Sequence, residues 1–342
     1  MRARQKFINS DVQHLGNSAL PLAQESVVSK FHTPRVGIVI THFNYAECIG
    51  DALLSVQQQT HANFTCVIVD DHSDEPQYDA VRREVAGLAD DRFKLVRNAE
   101  NLGQTPSFYR GLDEIDAAFV AVLDPDDRYV PEFIARMLAV HLNPRVFCPL
   151  VSCEQFLLKL GDGIITKTHY ANGSRHLEGT AIRREQETFS EFGFHRFISP
   201  AENGSYGATT SSMFFRTDAL KLIKPNRKLG YKRAVDAYLG NGAHMMGGTI
   251  VLREPLVYRG LHSNNSYISQ FIFSMFQNRQ GPRAKYVTDE VRRDVIEAFV
   301  QNGGLDYFSP SNFRDVILSQ FQGEELAKLL AAVPRVAEVL EA

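Results

Sequence analysis

Three carboxylates fall within four positions in "LDPDDRY", residues 123–129: Asp124, Asp126 and Asp127. Carboxylates this close repel, and each pushes its neighbours toward the protonated form. The arrangement suits a hard divalent cation, magnesium or manganese, which is held by one or two carboxylates together with the phosphates of a substrate. In extended backbone Asp124 and Asp126 point to the same side. An isolated Asp-Pro-Asp-Asp is also an ordinary solvated turn, so the companions of this stretch decide its meaning. "VDDHS" carries a second acidic pair, Asp70 and Asp71, and "NLGQT" carries Asn101 and Gly103, which permit a tight φ-positive turn near a ligand. Alone, Asp71 reads equally as a helix cap.

The elements that position these residues follow from periodicity. "VGIVIT" (36–41), "FTCVIVD" (64–70), "FKLVR" (93–97) and "AAFVAVL" (117–123) read as buried strands. Between them lie helical stretches. In 47–59, Ile49, Leu53 and Val56 share a face; 77–89 follows Pro76; "SFYRGLDEI" is entered through Thr105 as N-cap and Pro106 at N1; and Pro131 opens a helix in which Ile134, Met137, Leu138 and His141 share a face. Alternating strands and helices predict an α/β fold, a mostly parallel Rossmann-like sheet flanked by helices. Such sheets bind ligands at the carboxyl ends of their strands. "THFN", "DDHSD" and "DPDDR" therefore share one rim.

After residue 145 the pattern changes. A hairpin turns at Gly161-Asp162-Gly163, a polar loop or flap spans 171–205, and "TTSSMFFR" (209–216) is a strand followed by a helix capped by Thr217. "GTIVLREPLVYR" reads as two strands with a turn at Arg253-Glu254, and the chain is mostly helical from 268. The expected division is an N-terminal arm (1–33), an α/β domain (34–266, with a first half 34–150 and a second half 151–266) and a helical C-terminal extension (267–342).

Composition narrows the function. The chain has 342 residues, 44% apolar and 23% charged, with a net charge of −3. It lacks the basic stripe of a nucleic-acid binder and any apolar run of transmembrane length. The first 30 residues have no apolar core of a signal peptide, so the expected location is the cytoplasm. Cys48, Cys66, Cys148 and Cys153 read as reduced and mostly buried. An acidic pocket on a parallel sheet also suggests a phospho-switch receiver. That fold places its acidic pair after the first strand and needs a later Lys on the rim, and neither is met here.

"VGIVITHFNYAECIGDALLSVQQQTHANFTCVIVDDHSDEP" resembles the opening of family 2 glycosyltransferases of the GT-A fold, and "NLGQT…GL" and "LDPDDRYVPEFIARML" continue that pattern in order. The resemblance implies a nucleotide-sugar donor, most often a UDP-sugar, and inversion at the anomeric carbon. It implies that Phe43 stacks on the base and Asp71 accepts its N–H, with Thr41, Asn44, Asn101 and Gly103 lining the nucleotide. Asp124 and Asp126 would form the Asp-x-Asp motif, Asp126 on the metal and Asp124 near ribose or metal, while Asp127 would contact the donor sugar or cap the following helix. The general base falls on Asp236 in "YKRAVDAYLG", although the Glu that the family places before it is Val235 here; Glu202 and Asp218 are its competitors. "YRGLHSNNS" is similar to a Tyr-Arg-x-His segment with one extra residue, which implies His262 as a metal ligand or diphosphate contact and Arg259 as a phosphate partner. His42 receives a structural reading.

The expected acceptor is a glycan or lipid-linked glycan. "YISQFIFSMFQNRQGPRAKY" (267–286) reads either as a foot on an anionic membrane surface or as a helix packed on the catalytic domain. Leu326, Leu329, Leu330 and Val333 form a face, ahead of Pro334, suited to docking or to a homodimer. Two alternatives are weighed: a catalytically impaired nucleotide-sugar-binding scaffold, which Asp126 with Asp236 argues against and the Val235 departure keeps open, and a sugar nucleotidylyltransferase, which would need a Gly-rich basic loop after the first strand that "THFNYAECIG" is not.

Overall fold

A computed structural model describes residues 33–159, 164–166, 195–200, 209–262 and 288–341. The turn at 161–163, most of the 171–205 loop with Glu202, and the segment 267–286 lie outside the described residues. Residues 35–342 form one compact unit.

Four parallel strands make the first half of the sheet: β1 (Val36–His42), β2 (Phe64–Asp70), β3 (Phe93–Arg97) and β4 (Phe119–Leu123), in the order β3-β2-β1-β4. Every residue of β1 and β4 is buried, which is why these stretches read as continuous apolar runs rather than alternating ones. Helices α1 (Ala46–Gln57), α2 (Glu75–Gly87), α3 (Gln104–Leu112) and α4 (Phe133–His141) cover the two faces. Two apolar clusters result. Ile38, Ile40, Leu53, Phe133 and Met137 pack on one face of the sheet, and Val39, Val69, Phe108, Val120 and Phe215 on the other.

Beyond β4 the sheet becomes mixed. β9 (Met213–Arg216) runs antiparallel between β4 and β6 (Leu150–Lys159), β10 (Thr249–Leu261) lies parallel to β6, and β5 (Arg128–Tyr129) pairs antiparallel with β10. β7 (Ile164–Thr166) and β8 (His195–Ile198) add antiparallel to β6 and β10. The parallel sheet expected from the sequence thus describes β1–β4 and one further pair, and β9 is the antiparallel insertion that joins them.

Several local expectations are corrected. α3 begins at Gln104 with Gly103 as its N-cap, so Thr105 and Pro106 sit inside the first turn. Thr217 lies within α5 (Thr217–Leu222), whose N-cap is Arg216. Residues 249–261 form one strand, and Glu254 with Pro255 is absorbed as an irregularity of register instead of a turn. Residues 210–212 form a short 3-10 turn ahead of β9.

The C-terminal helices are no separate appendage. α7 (Thr288–Gln301), α8 (Pro310–Gln320), α9 (Gly323–Ala332) and α10 (Pro334–Glu341) bury Val295, Phe299, Phe313, Phe321, Leu329 and Val336 in the same cluster as Phe108 of α3 and Tyr238 of α6 (Val235–Gly247). The face containing Leu329 and Val333 is used inside this core, with Leu326 and Leu330 packed against it. No helix among the described residues is long and apolar enough to cross a membrane.

One buried glutamine holds the acidic loop's flank. Gln59 donates to the carbonyls of Ser55 and Val130 (3.0 and 2.7 Å) and accepts from the Ile134 amide (3.0 Å). Nearby, Tyr129 stacks on Phe133 with centroids 3.8 Å apart, donates its hydroxyl to the Val122 carbonyl (2.7 Å) and donates its amide to Ser55 (3.1 Å). Gln59→Leu orphans buried backbone groups at both ends of this bracket. It is expected to cost about 2–4 kcal/mol of unfolding free energy, at ~1–3 kcal/mol per orphaned group. Urea denaturation measures this, and an unchanged midpoint would contradict the bracket.

Candidate active site

The parallel register brings the predicted loops together. Val36–His42 pairs with Phe64–Asp70, and Ile40 pairs with Leu123, so β1, β2 and β4 end on one rim and Asp124 leaves β4 level with Thr41.

On the β1–β2 side the chain builds a rigid turn. His42 is 1% exposed; its Nδ1–H faces Asp70 Oδ1 at 2.9 Å, and its Nε2 accepts the Tyr45 amide at 3.0 Å. Because Nε2 is an acceptor, the proton sits on Nδ1 and the lone pair is already used. This His–Asp pair therefore fixes the Phe43–Tyr45 turn and cannot serve as a base. Burial works to raise the Asp70 carboxyl, but hydrogen bonds from His42 and Ser73 outweigh it and hold the group below its ordinary range. Asn44 takes a left-handed conformation (φ 55°), its amide donates to Ser73 Oγ (3.0 Å), and its side chain exchanges hydrogen bonds with Asp74. Phe43 projects from this turn 45% exposed, an aromatic face available for stacking. The Thr41 hydroxyl is buried without a partner.

Asp71 is only 4% exposed. Its carboxylate accepts from Asn98 Nδ2 (2.9 Å), the Leu102 amide (2.8 Å) and the Gly103 amide (2.8 Å). This role is not legible in the sequence: Asp71 shapes the Asn101–Gly103 loop. A carboxylate offers about four acceptor positions, so one remains.

The acidic trio is real as a cluster. Asp124, Asp126 and Asp127 each present an oxygen, and these lie within 4.8 Å of one another. Their surroundings separate them. Asp127 is 3% exposed and turned inward, where Oδ2 accepts from Ser211 Oγ (2.6 Å) and Oδ1 from the Gly260 amide (2.8 Å). That geometry makes it the tie between the motif, β10 and the turn ahead of β9. It caps no helix, since α4 begins only at Phe133. Asp124 has a buried Oδ1 with no hydrogen-bond partner, while its amide donates to Ser211 Oγ (3.0 Å). Asp126 faces His262 Nε2 at 2.9 Å, and His262 meets the Tyr45 ring edge-on at 5.5 Å between centroids.

Burial first, then Asp127 and Asp126, pushes the Asp124 carboxyl well above its ordinary range; burial first, then Asp126, likewise pushes Asp127 up. Tyr45 is pushed up to about 12 by burial and by Asp126. A divalent cation fits this donor set. It would relieve a repulsion that protons otherwise relieve, and Asp124 has an orphaned buried oxygen to give it. Asp124 and Asp126 are the residues that would hold the ion, with His262 beside them.

Asp236 opens α6 from the far side of the rim. Its charge reaches Asp124, and burial raises its own carboxyl, opposed by the Ala237 amide and by Arg259. Arg259, on β10, also draws down Asp127. Val235 is 1% exposed in the core, so its place has no room for an acidic side chain facing solvent. Asp218 falls at the opposite end of the sheet: β9 ends at Arg216 opposite Phe119, the first residue of β4.

A mixed sheet with an acidic rim of this kind defines a GT-A-type transferase. The structure resembles Staphylococcus aureus TarS residues 1–349, solved in complex with UDP-GlcNAc, with a TM-score of 0.50 and 16% identity over 90% of this chain and 83% of that one. The chain belongs to glycosyl transferase family 2, whose profile matches residues 37–253, and it is a glycosyltransferase. Among curated relatives, an uncharacterized glycosyltransferase of Nostoc is 23% identical over 262 residues, 77% of this chain and 76% of the relative. The Escherichia coli UDP-Glc:α-D-GlcNAc-diphosphoundecaprenol β-1,3-glucosyltransferase WfgD is 27% identical over 111 residues, 32% of this chain and 42% of the relative.

Since Asp124 and Asp127 are held with raised pKa values, their protonated forms favour the fold, and metal-free stability declines as pH rises above the ordinary carboxylate range. At pH 7.5, Asp124→Asn should therefore melt no lower than the wild type without metal. Manganese should raise the wild-type melting temperature and leave the variant's unchanged. Differential scanning fluorimetry with EDTA and with manganese reads both; a variant that melts lower without metal, or that responds to manganese as the wild type does, would contradict this reading.

Proposed function

We propose that this enzyme inverts the anomeric centre while moving a sugar from a UDP-sugar to a hydroxyl of a glycan or lipid-linked glycan. The carrying observation is the Asp124–Asp126–Asp127 cluster on the rim where Phe43 is exposed, with the charge of Asp236 acting on Asp124. The WfgD relative, whose name specifies a UDP-glucose donor and a diphosphoundecaprenol-linked acceptor, supports the choice of uridine and of acceptor class.

In this reading Phe43 carries the base on its face, and the remaining acceptor position of Asp71 takes the imide N–H. Thr41, Asn44, Asn101 and Gly103 form the surrounding wall. Asp124 and Asp126 hold manganese or magnesium, with His262 adjacent. When bound, the ion supplies positive charge to the departing diphosphate. Arg259 offers a second positive charge to the phosphates and keeps Asp236 from drifting further toward protonation. The acceptor oxygen attacks the anomeric carbon from the face opposite the diphosphate. As that bond forms, the sugar–phosphate bond breaks, and the hydroxyl proton passes to the Asp236 carboxylate. Asp127 keeps one bond on each oxygen to Ser211 and the Gly260 amide, and in this reading its remaining acceptor positions serve the donor sugar.

A raised carboxyl suits a base, because its proton affinity lies nearer the working pH. Asp236→Asn should lower turnover about 10²–10⁴-fold while UDP binding stays near normal. Near-normal transfer by that variant would remove Asp236 from the reaction. The base acts only when ionised, so turnover should climb as pH rises through a value above the ordinary carboxylate range of about 4. An acid limb centred at or below that range would contradict the raised carboxyl.

A further inference from the structure

The segment that leads into α6 is fastened to the nucleotide loop by one residue, Lys232. Its carbonyl accepts the Gln104 amide at 2.8 Å, the first turn of α3. Its Nζ donates to the Asn101 carbonyl (3.0 Å) and to Asn101 Oδ1 (2.7 Å). Gly103 permits the approach. It has φ +95°, and a Cβ there would stand 2.7 Å from Lys232 Cα and 2.8 Å from its carbonyl oxygen. The other side of the same loop hangs from Asp71 through the Leu102 and Gly103 amides. Two residues after Lys232, Ala234 adopts a left-handed conformation (φ 92°, ψ 31°), and α6 begins with Val235 and Asp236. For an alanine this conformation is strained and persists only where the surroundings enforce it. At its other end the segment is held by α7, through Arg227 paired with buried Asp294 and with Glu297, and through Asn226 bonded to Gln301 and Asn302.

From these contacts we infer that Lys232 is a positioning residue: it joins the nucleotide loop to the start of α6, so that seating a nucleotide also seats Asp236. The inference rests on the reading of Asp236 as the base. A path runs from Asp71 through the Leu102 and Gly103 amides of the loop to Asn101 and from there by hydrogen bonds to Lys232 Nζ, and the chain then needs only Arg233 and Ala234 to reach the carboxylate-bearing helix. The loop and the helix move as one body, and the strained alanine is the joint that sets the height of Asp236. A displacement of ~1 Å at that height is enough to cost about 100-fold in rate.

Hydrogen exchange with UDP and manganese as the probe tests this in the full-length protein. In the wild type the ligand should slow exchange both at Leu102–Gln104 and at Val235–Tyr238. In Lys232→Met the first protection should remain and the second should fall by about tenfold or more. Lys232→Arg, which keeps a donor for Asn101, should restore it. Turnover of Lys232→Met should drop about tenfold or more, with UDP affinity changed less than about threefold, and should drop no further in the Asp236→Asn background. Protection of the nucleotide loop without protection of α6 in the wild type, or protection of both in Lys232→Met, would overturn the inference. Those results leave the base reading standing. Near-normal turnover by Asp236→Asn would instead overturn the base reading, and this inference with it.

Discussion

Mutual repulsion within Asp124, Asp126 and Asp127 is the constraint on which the site depends. A folded chain that confines three carboxylates within 4.8 Å must supply something to hold them there. Asp127 is fixed by Ser211, in the turn ahead of β9, and by the Gly260 amide of β10, two elements far apart in sequence. Asp126 is met by His262, just past the end of β10. β5 pairs with β10 immediately after the motif and keeps the loop short. The antiparallel insertion of β9, and the placement of β10 against β5, are therefore what bring the second half of the chain to the acidic rim. With those ties in place the remaining imbalance is electrostatic, and it is relieved by a proton or by a cation.

The nucleotide side obeys a different logic, in which buried polar groups spend their hydrogen bonds on shape. His42, Asp70, Ser73 and Asn44 satisfy one another and leave Phe43 outside the network, exposed. Asp71 draws the Asn101–Gly103 loop inward, and Lys232 closes it from the far side. The C-terminal helices belong to this scheme because α7 grips Arg227 and packs on α6, sharing one apolar cluster with the catalytic sheet.

The first four strands and their helices were legible because buried parallel strands carry unbroken apolar runs and the intervening helices carry a 3.6-residue stripe. Their ends fixed the rim, and with it the meeting of Phe43, Asp71 and the acidic trio. What escaped the sequence was long-range or conformational. Arg253-Glu254 inside 249–261 reads as a turn, yet the strand runs through it with a break in register against β6. Thr105-Pro106 has the look of a helix start, but Gly103 at φ +95° takes the cap one residue before the helix. Ser211 and Gly260 gave no signal, since a hydroxyl and a backbone amide become partners of Asp127 only once β9 and β10 are in place. Lys232 carries no local signal, because its partner Asn101 lies 131 positions away.

Binding of UDP measured by calorimetry, with manganese and then with EDTA, tests the central claim most directly. If the carboxylate cluster and the diphosphate share a cation, UDP should bind in the presence of manganese and lose nearly all measurable affinity without it. Binding of equal strength in EDTA would contradict the account, as would the absence of binding under both conditions.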